Sequence, residues 1–236
     1  PRAATVSSVD SDNSVQAWPG GWPRIWMVKN LFELKNGKRF LVTGNVFDGN
    51  WVNGQNGHAI VLTPRDDDPP SPSQPPLIAE VRDVTFKTNV VRNVAAGINI
   101  LAEDYLEPAA YYAISGQHNT AGVYIGYNLF DNDNGQLFGG GPGDFLSFSA
   151  GLMDQPGVND LIADHNTVLH TGNIGCTAFT DLVSSHGAFQ FTNNIVANND
   201  YGLCIDGHNS SWATMQQLFA SLVCTHNVLP LAVGTP

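Results

Sequence analysis

One asparagine recurs at the same position of a sequence pattern that is repeated six times. The copies are centred on Asn45, Asn89, Asn128, Asn166, Asn194 and Asn227. In each copy apolar residues stand mostly five and three positions before the asparagine and one and two positions after it, as in FLVTGNVFDGNW (40–51). The residues at −5, −3 and +1 alternate as a β-strand requires, and we expect the asparagine to mark a bend at which the chain turns inward.

The spacing of these asparagines indicates a solenoid. Successive asparagines are 44, 39, 38, 28 and 33 residues apart, by subtraction of their numbers, which is a period typical of repeat architectures. A single coil cannot bury its apolar face, but coils stacked about 4.8 Å apart can. The sequence therefore predicts an all-β, right-handed parallel β-helix with a buried asparagine ladder. A β-sandwich, the alternative, does not require one residue type at one register through six copies.

Charge and cysteine content restrict the function classes. The formal net charge is −11, with 21 acidic and 10 basic side chains, which argues against binding nucleic acid or an anionic membrane by electrostatics. No stretch is long and apolar enough to span a bilayer. The few lysines and many Gly, Asn, Ser and Thr residues are typical of a secreted, extracellular β protein.

The three cysteines also fit this interpretation. Cys176 and Cys204 each follow a repeat asparagine by ten residues, so we expect them to be stacked neighbours that an oxidising compartment would join. Cys224 occupies the apolar −3 position and is predicted to be a buried thiol.

The pattern divides the chain into an N-terminal arm and cap, residues 1–25, and a β-helix domain, residues 26–236. The chain begins at Pro1, and we expect it to be a processed product or a fragment of a longer solenoid. Trp18 and Trp22 favour an apolar plug over the open end of the first coil, with an aromatic platform for sugar rings as the alternative. Near the C-terminus, residues 210–222 predict one short helix.

Several segments resemble known β-helix proteins. VKNLFELKN (28–36), GNVFDGNW (44–51) and VAAGINIL (94–101) are similar to a family of secreted bacterial β-helix-repeat proteins within the pectate-lyase-like superfamily, and LIADHNTV (161–168) is similar to the Asp-His segment of pectate lyases. The resemblance implies the right-handed β-helix fold over most of residues 26–230, and no specific activity. The Asn-Thr-Asp, paired-Asp and Gly-His-Gly set of the glycosidases of this fold is absent from the sequence.

Three aspartates predict an acidic column. Asp104, Asp144 and Asp181 follow successive repeat asparagines by 15, 16 and 15 residues. If the loops keep register, three carboxylates would lie close together on one face, and a cation would relieve their repulsion. Ca²⁺ prefers such oxygen ligands and is the predicted cofactor. The alternative is a set of solvated turn aspartates.

The remaining site residues follow from a polysaccharide-processing hypothesis. The predicted catalytic residues, acting as acid, base or charge clamp, are Asp104, Asp181, Asp206 and Arg65. The predicted substrate-binding aromatics are Trp18, Trp22, Tyr111 and Tyr112. In a lyase, Ca²⁺ and an arginine would stabilise the enolate that forms beside a uronate carboxylate.

The histidines have simpler interpretations. His170 follows Asn166 by four residues, and the same position in other coils holds Asn93, Asn132 and Asn198. His170 is therefore predicted to substitute for asparagine in a second polar ladder. His165 and His226 precede repeat asparagines and are expected to face solvent.

Two function classes remain. The first is an extracellular carbohydrate-active protein that binds or cleaves a polysaccharide, as a lyase, a hydrolase or a non-catalytic module. The second is a structural or adhesive solenoid whose ends associate with other copies. We favour the first class, with a polysaccharide as the partner, because of the aromatic and acidic residues predicted to line one face.

Overall fold

The computed structural model describes residues 28–65, 79–102, 120–149, 157–172, 176–180, 186–197, 202–205 and 216–229. These residues contain seventeen strands, three to a coil in the first five coils. Their bounds are β1 Phe32–Leu34, β2 Gly37–Thr43, β3 Val46–Asn50, β4 His58–Leu62, β5 Val81–Lys87, β6 Val90–Val94, β7 Ala96–Leu101, β8 Thr120–Gly126, β9 Leu129–Asp133, β10 Leu146–Ser149, β11 Asn159–Asp164, β12 Thr167–His170, β13 Ala178–Thr180, β14 His186–Thr192, β15 Ile195–Val196, β16 Leu203–Ile205 and β17 Phe219–Thr225.

The strands assemble into three parallel sheets that run along the molecule. The first sheet has the order β1-β4-β7-β10-β13-β16, the second β2-β5-β8-β11-β14-β17, and the third β3-β6-β9-β12-β15. Each strand pairs with the strand three places further along the chain, because each coil contributes one strand to each of the three sheets. The fold is the predicted all-β parallel β-helix. Its right-handed sense stays a prediction.

The predicted register is confirmed in the second sheet. The −5 positions pair in one row, which is Phe40, Val84, Val123, Leu161, Phe189 and Leu222. The −3 positions pair in a second row, which is Val42, Phe86, Ile125, Ala163, Phe191 and Cys224. Both rows point inward in the middle coils and supply much of the buried core.

The bend lies one residue before each asparagine. The residues there adopt positive φ angles, and they are Gly44, Thr88, Tyr127, His165, Asn193 and His226. A single left-handed residue breaks the strand alternation, so the row at +1 faces outward and the row at +2 faces the core. Val46 is 60% exposed at +1, whereas Val91 and Phe130 at +2 are fully buried. The prediction that +1 continues the alternation of −5 and −3 was wrong for this reason.

The asparagine ladder is confirmed. The side-chain oxygen of Asn128 accepts hydrogen bonds from the backbone N–H of Asn89 (2.9 Å) and from its side-chain amide (3.1 Å). The same pair of bonds joins every successive repeat asparagine from Asn45 to Asn227. The four middle asparagines are buried, Asn227 is partly buried and Asn45 is exposed. These hydrogen bonds form at each bend and stabilise the backbone conformation that the left-handed residue adopts there.

The predicted short helix near the C-terminus is confirmed, but it ends before Phe219. Within the described residues only 216–218 are helical, directly before β17. Phe219 and Leu222, which were expected on the helix, belong instead to β17, where Leu222 pairs with Phe189. Pairing along the exposed edge of the second sheet overrides the local helical pattern.

The cysteine predictions hold in part. Cys176 and Cys204 form a disulfide with a Cα–Cα distance of 5.8 Å. The strand register, however, pairs Cys204 with Phe179, so equal distance from the repeat asparagine does not mean equal position in the first sheet. Cys224 is a free thiol that is half-buried rather than fully buried, and this burial raises the pKa of the Cys224 thiol.

Candidate functional site: a groove beside a buried acid–histidine corner

Apart from the asparagine ladder, a cluster of buried polar side chains lies where the third sheet passes into the first. We call this set the polar corner, and its members are Asn50, His58, Asp133, Asp144 and His170. Asn50, Asp133 and His170 are the last residues of β3, β9 and β12, and the register places them in one row with Val94. His58 begins β4, and Asp144 lies two residues before β10.

His58 and Asp144 come together although they lie on coils that are not neighbours. His58 pairs with Ala96 on the next coil. Leu146 pairs with Ile98. Asp144, two residues before Leu146, therefore lies beside Ala96 on the coil that follows, whereas His58 lies beside Ala96 on the coil that precedes. The alanine side chain ends at Cβ, and the two longer side chains reach each other across it. Nε2 of His58 lies 3.3 Å from Oδ1 of Asp144.

Burial controls the charges in the polar corner. The side chain of Asp133 is fully buried, and burial together with the nearby Asp144 carboxylate raises the pKa of Asp133 well above its usual value. Nδ1 of His170 lies 3.9 Å from Oδ2 of Asp133. Burial lowers the pKa of His170 to about 4, against the opposing effect of Asp144. Low dielectric surroundings therefore favour the uncharged forms of Asp133 and His170.

Many polar atoms of the corner have no hydrogen-bond partner among the residues that the structure describes. These buried atoms are Oδ1 of Asn50, Nε2 of His58, both carboxyl oxygens of Asp133, Oδ1 of Asp144 and both ring nitrogens of His170. Buried polar atoms are nearly always paired in folded proteins, so a concentration at one place requires a functional or solvent-based explanation. All seven atoms belong to the polar corner.

A groove opens beside the polar corner along the outer face of the first sheet. It joins two cavities of about 270 and 320 Å³, which share Asn56, His58 and Asn99. The outer row of the sheet, Glu33, Val61, Asn99 and Ser147, pairs across four coils and lies along the groove. The other lining residues are Lys29, Gln55, Thr63, Arg65, Leu101, Pro142, Asp144 and Cys176. His58 and Asp144 therefore connect the groove with the interior.

The groove wall carries both signs of charge and several amides. Lys29 lies 3.5 Å and Lys35 4.0 Å from carboxylate oxygens of Glu33. The side-chain amide of Asn30 donates to Gln55 at 3.0 Å. Amides and paired charges present donors and acceptors side by side, which suits a ligand rich in hydroxyl groups.

The structure describes two of the predicted site residues. Arg65 lines the groove, and Asp144 belongs to the polar corner. The other predicted catalytic, metal-binding and substrate-binding residues lie outside the described part of the chain, and they are Asp104, Asp181, Asp206, Trp18, Trp22, Tyr111 and Tyr112.

Residues at equal distances from their repeat asparagines do not occupy equal positions in the first sheet. The paired residues Ile98, Leu146 and Ala178 follow their repeat asparagines by 9, 18 and 12 residues, by subtraction. Loops of different length therefore precede this sheet in each coil. The distance of Asp144 from Asn128 consequently does not identify its neighbours, and the register places it beside Ala96 instead.

The predicted Ca²⁺ site stays a prediction, because Asp104 and Asp181 lie outside the described residues. The close partner of Asp144 is the imidazole of His58, whereas Ca²⁺ takes oxygen ligands. Among the residues that the structure describes, no three His, Cys, Asp or Glu side chains are arranged to hold a metal ion.

His170 is not part of the second polar ladder. The side-chain amide of Asn93 donates to Asp48 (2.7 Å) and that of Asn132 donates to Asn93 (2.7 Å). Leu169 pairs with Asp131 and His170 with Asp133, so β12 has no residue opposite Asn132. The hydroxyl of Thr171 continues the ladder by donating to Asn132 at 2.6 Å. The prediction was wrong because β12 is one residue shorter than β9 here, so His170 takes the inward position of Asp133. His165 and His226 are exposed, as predicted.

Sequence reasoning missed His58 and Asp133 as site residues. Asp133 occupies the position of Asn50 and Val94 at the end of the third-sheet strand. An acidic residue in an inward row is the signal that could have identified the corner.

Comparison with known proteins gives no family assignment: no family model, no curated protein and no solved structure matches this chain. No helix in the described ranges is long and apolar enough to cross a membrane.

The burial of His170 predicts a loss of stability in mild acid. Its pKa in the folded protein is about 4, below the unfolded value of about 6.5, so the unfolded state binds the additional proton. We expect His170 to reduce the free energy of unfolding by roughly 3 kcal/mol as the pH falls from 6.5 to 4. Urea unfolding of His170→Asn across this range should show a weaker dependence on pH than the wild type. His226→Asn, at an exposed position, serves as the control, and equal pH dependence of His170→Asn and wild type would contradict the prediction.

Proposed function

We propose that this protein is a secreted, carbohydrate-active β-helix protein that binds a polysaccharide along the groove of the first sheet. The observation that carries the proposal is the groove itself, which continues across several coils and is lined by Asn56, Asn99, Gln55 and Arg65. Strands about 4.8 Å apart offer an extended polymer a regular series of side chains. Amides bind hydroxyl groups, and the guanidinium group of Arg65 would bind an acidic sugar.

Further features support an extracellular carbohydrate-active protein. The Cys176–Cys204 disulfide fits an oxidising compartment. The resemblance of LIADHNTV to a segment of pectate lyases supports a place in the pectate-lyase-like superfamily. Cleavage by a lyase or hydrolase mechanism, and Ca²⁺ binding by Asp104, Asp144 and Asp181, remain parts of the proposal that the groove does not require.

One observation favours the alternative of a structural or adhesive solenoid. Phe40 is 40% exposed at the −5 position of the first coil, whereas the middle coils bury this position. An additional coil would cover Phe40, and a second copy stacked end to end could provide it. In that case the mass in solution would depend on protein concentration, and no polysaccharide would bind.

Binding can be measured by calorimetry on a panel of neutral and acidic polysaccharides, with and without chelator. Replacing Gln55 and Asn99 with alanine removes two amides from the groove and should weaken binding about tenfold or more, because each hydrogen bond contributes about 0.5–1.5 kcal/mol. Gln190→Ala is the matched control, since Gln190 is an exposed amide on the second sheet. Equal losses in both variants, or no binding to any member of the panel, would reject the proposal.

A further inference from the structure

His58 connects the groove with the polar corner. It borders both cavities of the groove, as do Asn56 and Asn99, so these three side chains surround the place where the cavities meet. Nε2 of His58 is buried and lies 3.3 Å from Oδ1 of Asp144. The side chain of His58 is 9% exposed, and Nδ1 is not among the buried unpaired atoms of the corner. Nδ1 is therefore the ring nitrogen that a ligand in the groove can reach.

Asp144 gives the imidazole of His58 a buried counter-charge. The side chains of both residues are at least nine-tenths buried. At this distance and away from water, a carboxylate stabilises the positive charge that develops on an imidazole during a reaction. Burial favours the uncharged forms of Asp133 and His170, so neither takes over this role. A ring nitrogen open to a groove and backed by a buried carboxylate is the arrangement of a general base.

The register indicates that water, rather than Ser147, is the nucleophile for this base. Ser147 lines one of the two cavities with His58. It pairs with Asn99, however, whereas His58 pairs with Ala96. The serine therefore lies on the second coil beyond His58 and three residues, about 10 Å, further along the sheet. A hydrogen bond between its hydroxyl and the imidazole does not span that separation, but a water molecule in the groove can contact Nδ1.

The positions of the cations favour substitution at a carbonyl carbon over elimination. Arg65 lies seven residues from His58, which is roughly 20 Å along an extended chain, and Lys29 lies 3.5 Å from a carboxylate oxygen of Glu33. Elimination beside a uronate carboxylate needs a cation close to the base. Substitution at an ester carbonyl needs a base and a hydrogen-bond donor for the oxyanion, and His58 and the side-chain amide of Asn56 supply them.

We propose that the junction of the two cavities is an esterase site, in which His58 activates water to hydrolyse an ester substituent of the bound polysaccharide. Nδ1 takes a proton from water, and the electron pair of that O–H bond forms the bond to the ester carbonyl carbon. The π electron pair moves to the carbonyl oxygen, to which the amide of Asn56 donates. When the carbonyl re-forms, the bond to the alkoxy oxygen breaks and Nδ1 returns the proton to that oxygen. The products are a carboxylic acid and an alcohol, and Asp144 is a positioning residue that offsets the charge of protonated His58.

The esterase site deepens the proposed function and rests on it for the binding of the polymer. Suitable probes are acetylated xylan and methyl-esterified polygalacturonan, with released acetate or methanol as the readout. The wild type should release one of these products, and more slowly in D₂O, because a proton moves in the rate-determining step. Release of neither product, or a rate that D₂O leaves unchanged, would overturn the esterase site without the need for any variant.

Substitutions assign the reaction to its residues. His58→Gln should reduce the release about 100-fold or more, the usual contribution of a general base, and imidazole added to His58→Ala should restore part of it. His165→Gln is the matched control, because Nδ1 of His165 lies 2.8 Å from Asp164 at an exposed bend, and it should release the product at the wild-type rate. Equal release by His58→Gln and wild type would refute the role of His58, and a loss of release in Ser147→Ala would refute water as the nucleophile.

Asp144 is tested by separating kcat from KM. Asp144→Asn should lower kcat about tenfold or more with little change in KM, because the carboxylate acts on the charge of His58 and not on the substrate. An unchanged kcat would contradict its role. Calorimetry with the same polymer after alkaline removal of its esters measures binding alone. Binding without release rejects the esterase site and leaves the proposed function in place, whereas the absence of both rejects the proposed function as well.

Discussion

Replacing Asn128 with alanine should lower the free energy of unfolding by roughly 2–4 kcal/mol, because several buried groups lose their partners at once. The backbone N–H and the side-chain amide of Asn89 both lose their acceptor. The carbonyl oxygen of Phe86 loses the amide that donates to it at 3.0 Å. Each orphaned buried group costs about 1–3 kcal/mol, and local rearrangement recovers part of the sum.

The end of the ladder provides the control for this prediction. Asn45 is exposed, and in the described residues no other asparagine donates to its side chain, so Asn45→Ala should change stability far less than Asn128→Ala. Asn166→Ala should resemble Asn128→Ala, since its neighbours make the same bonds. Urea unfolding of the three variants at one pH gives the comparison. A ladder that contributes nothing would leave all three variants with the stability of the wild type.

The ladder was predictable from sequence because its cause repeats at each coil. An asparagine that satisfies the same backbone groups at every bend is required at one register, and the rows at −5 and −3 keep fixed distances from it. The bend itself was placed one residue late. The left-handed residue varies among Gly44, Thr88, Tyr127 and others, so no single residue type marks it.

The candidate site was only partly predictable because it depends on the variable loops. The first sheet follows loops whose length differs between coils, for example before Ile98 and before Leu146, so counting from the asparagine cannot identify the neighbours of Asp144. The contact between His58 and Asp144 also requires a small residue, Ala96, on the coil between them. His170 lies inward because β12 has no residue opposite Asn132. Predicting any of these features requires the strand register of several coils together, and a single sequence does not provide it.

The close approach of two coils at Gly97 has a consequence for both stability and the proposed site. A Cβ atom added at Gly97 would overlap the carbonyl oxygen of Phe145 and lie 3.0 Å from its carbonyl carbon. The backbone cannot easily move, because it is held by two hydrogen bonds. The N–H of Gly97 donates to the backbone carbonyl oxygen of Asp144 at 2.8 Å, and the N–H of Ile98 donates to the backbone carbonyl oxygen of Phe145 at 2.9 Å. We therefore expect Gly97→Ala to cost about 3 kcal/mol, the upper part of the range for overpacking.

The same substitution should also disturb the polar corner, since the strained carbonyl follows Asp144 directly in the chain. Gly140→Ala is the matched control: its Cβ would meet no atom within 4 Å, although its φ of +87° is unfavourable for alanine, so we expect a cost of about 1 kcal/mol. Urea unfolding measures both costs. A Gly97→Ala variant as stable as Gly140→Ala would mean that the coils can separate at this point, and the position of Asp144 would then not depend on the close approach at Gly97.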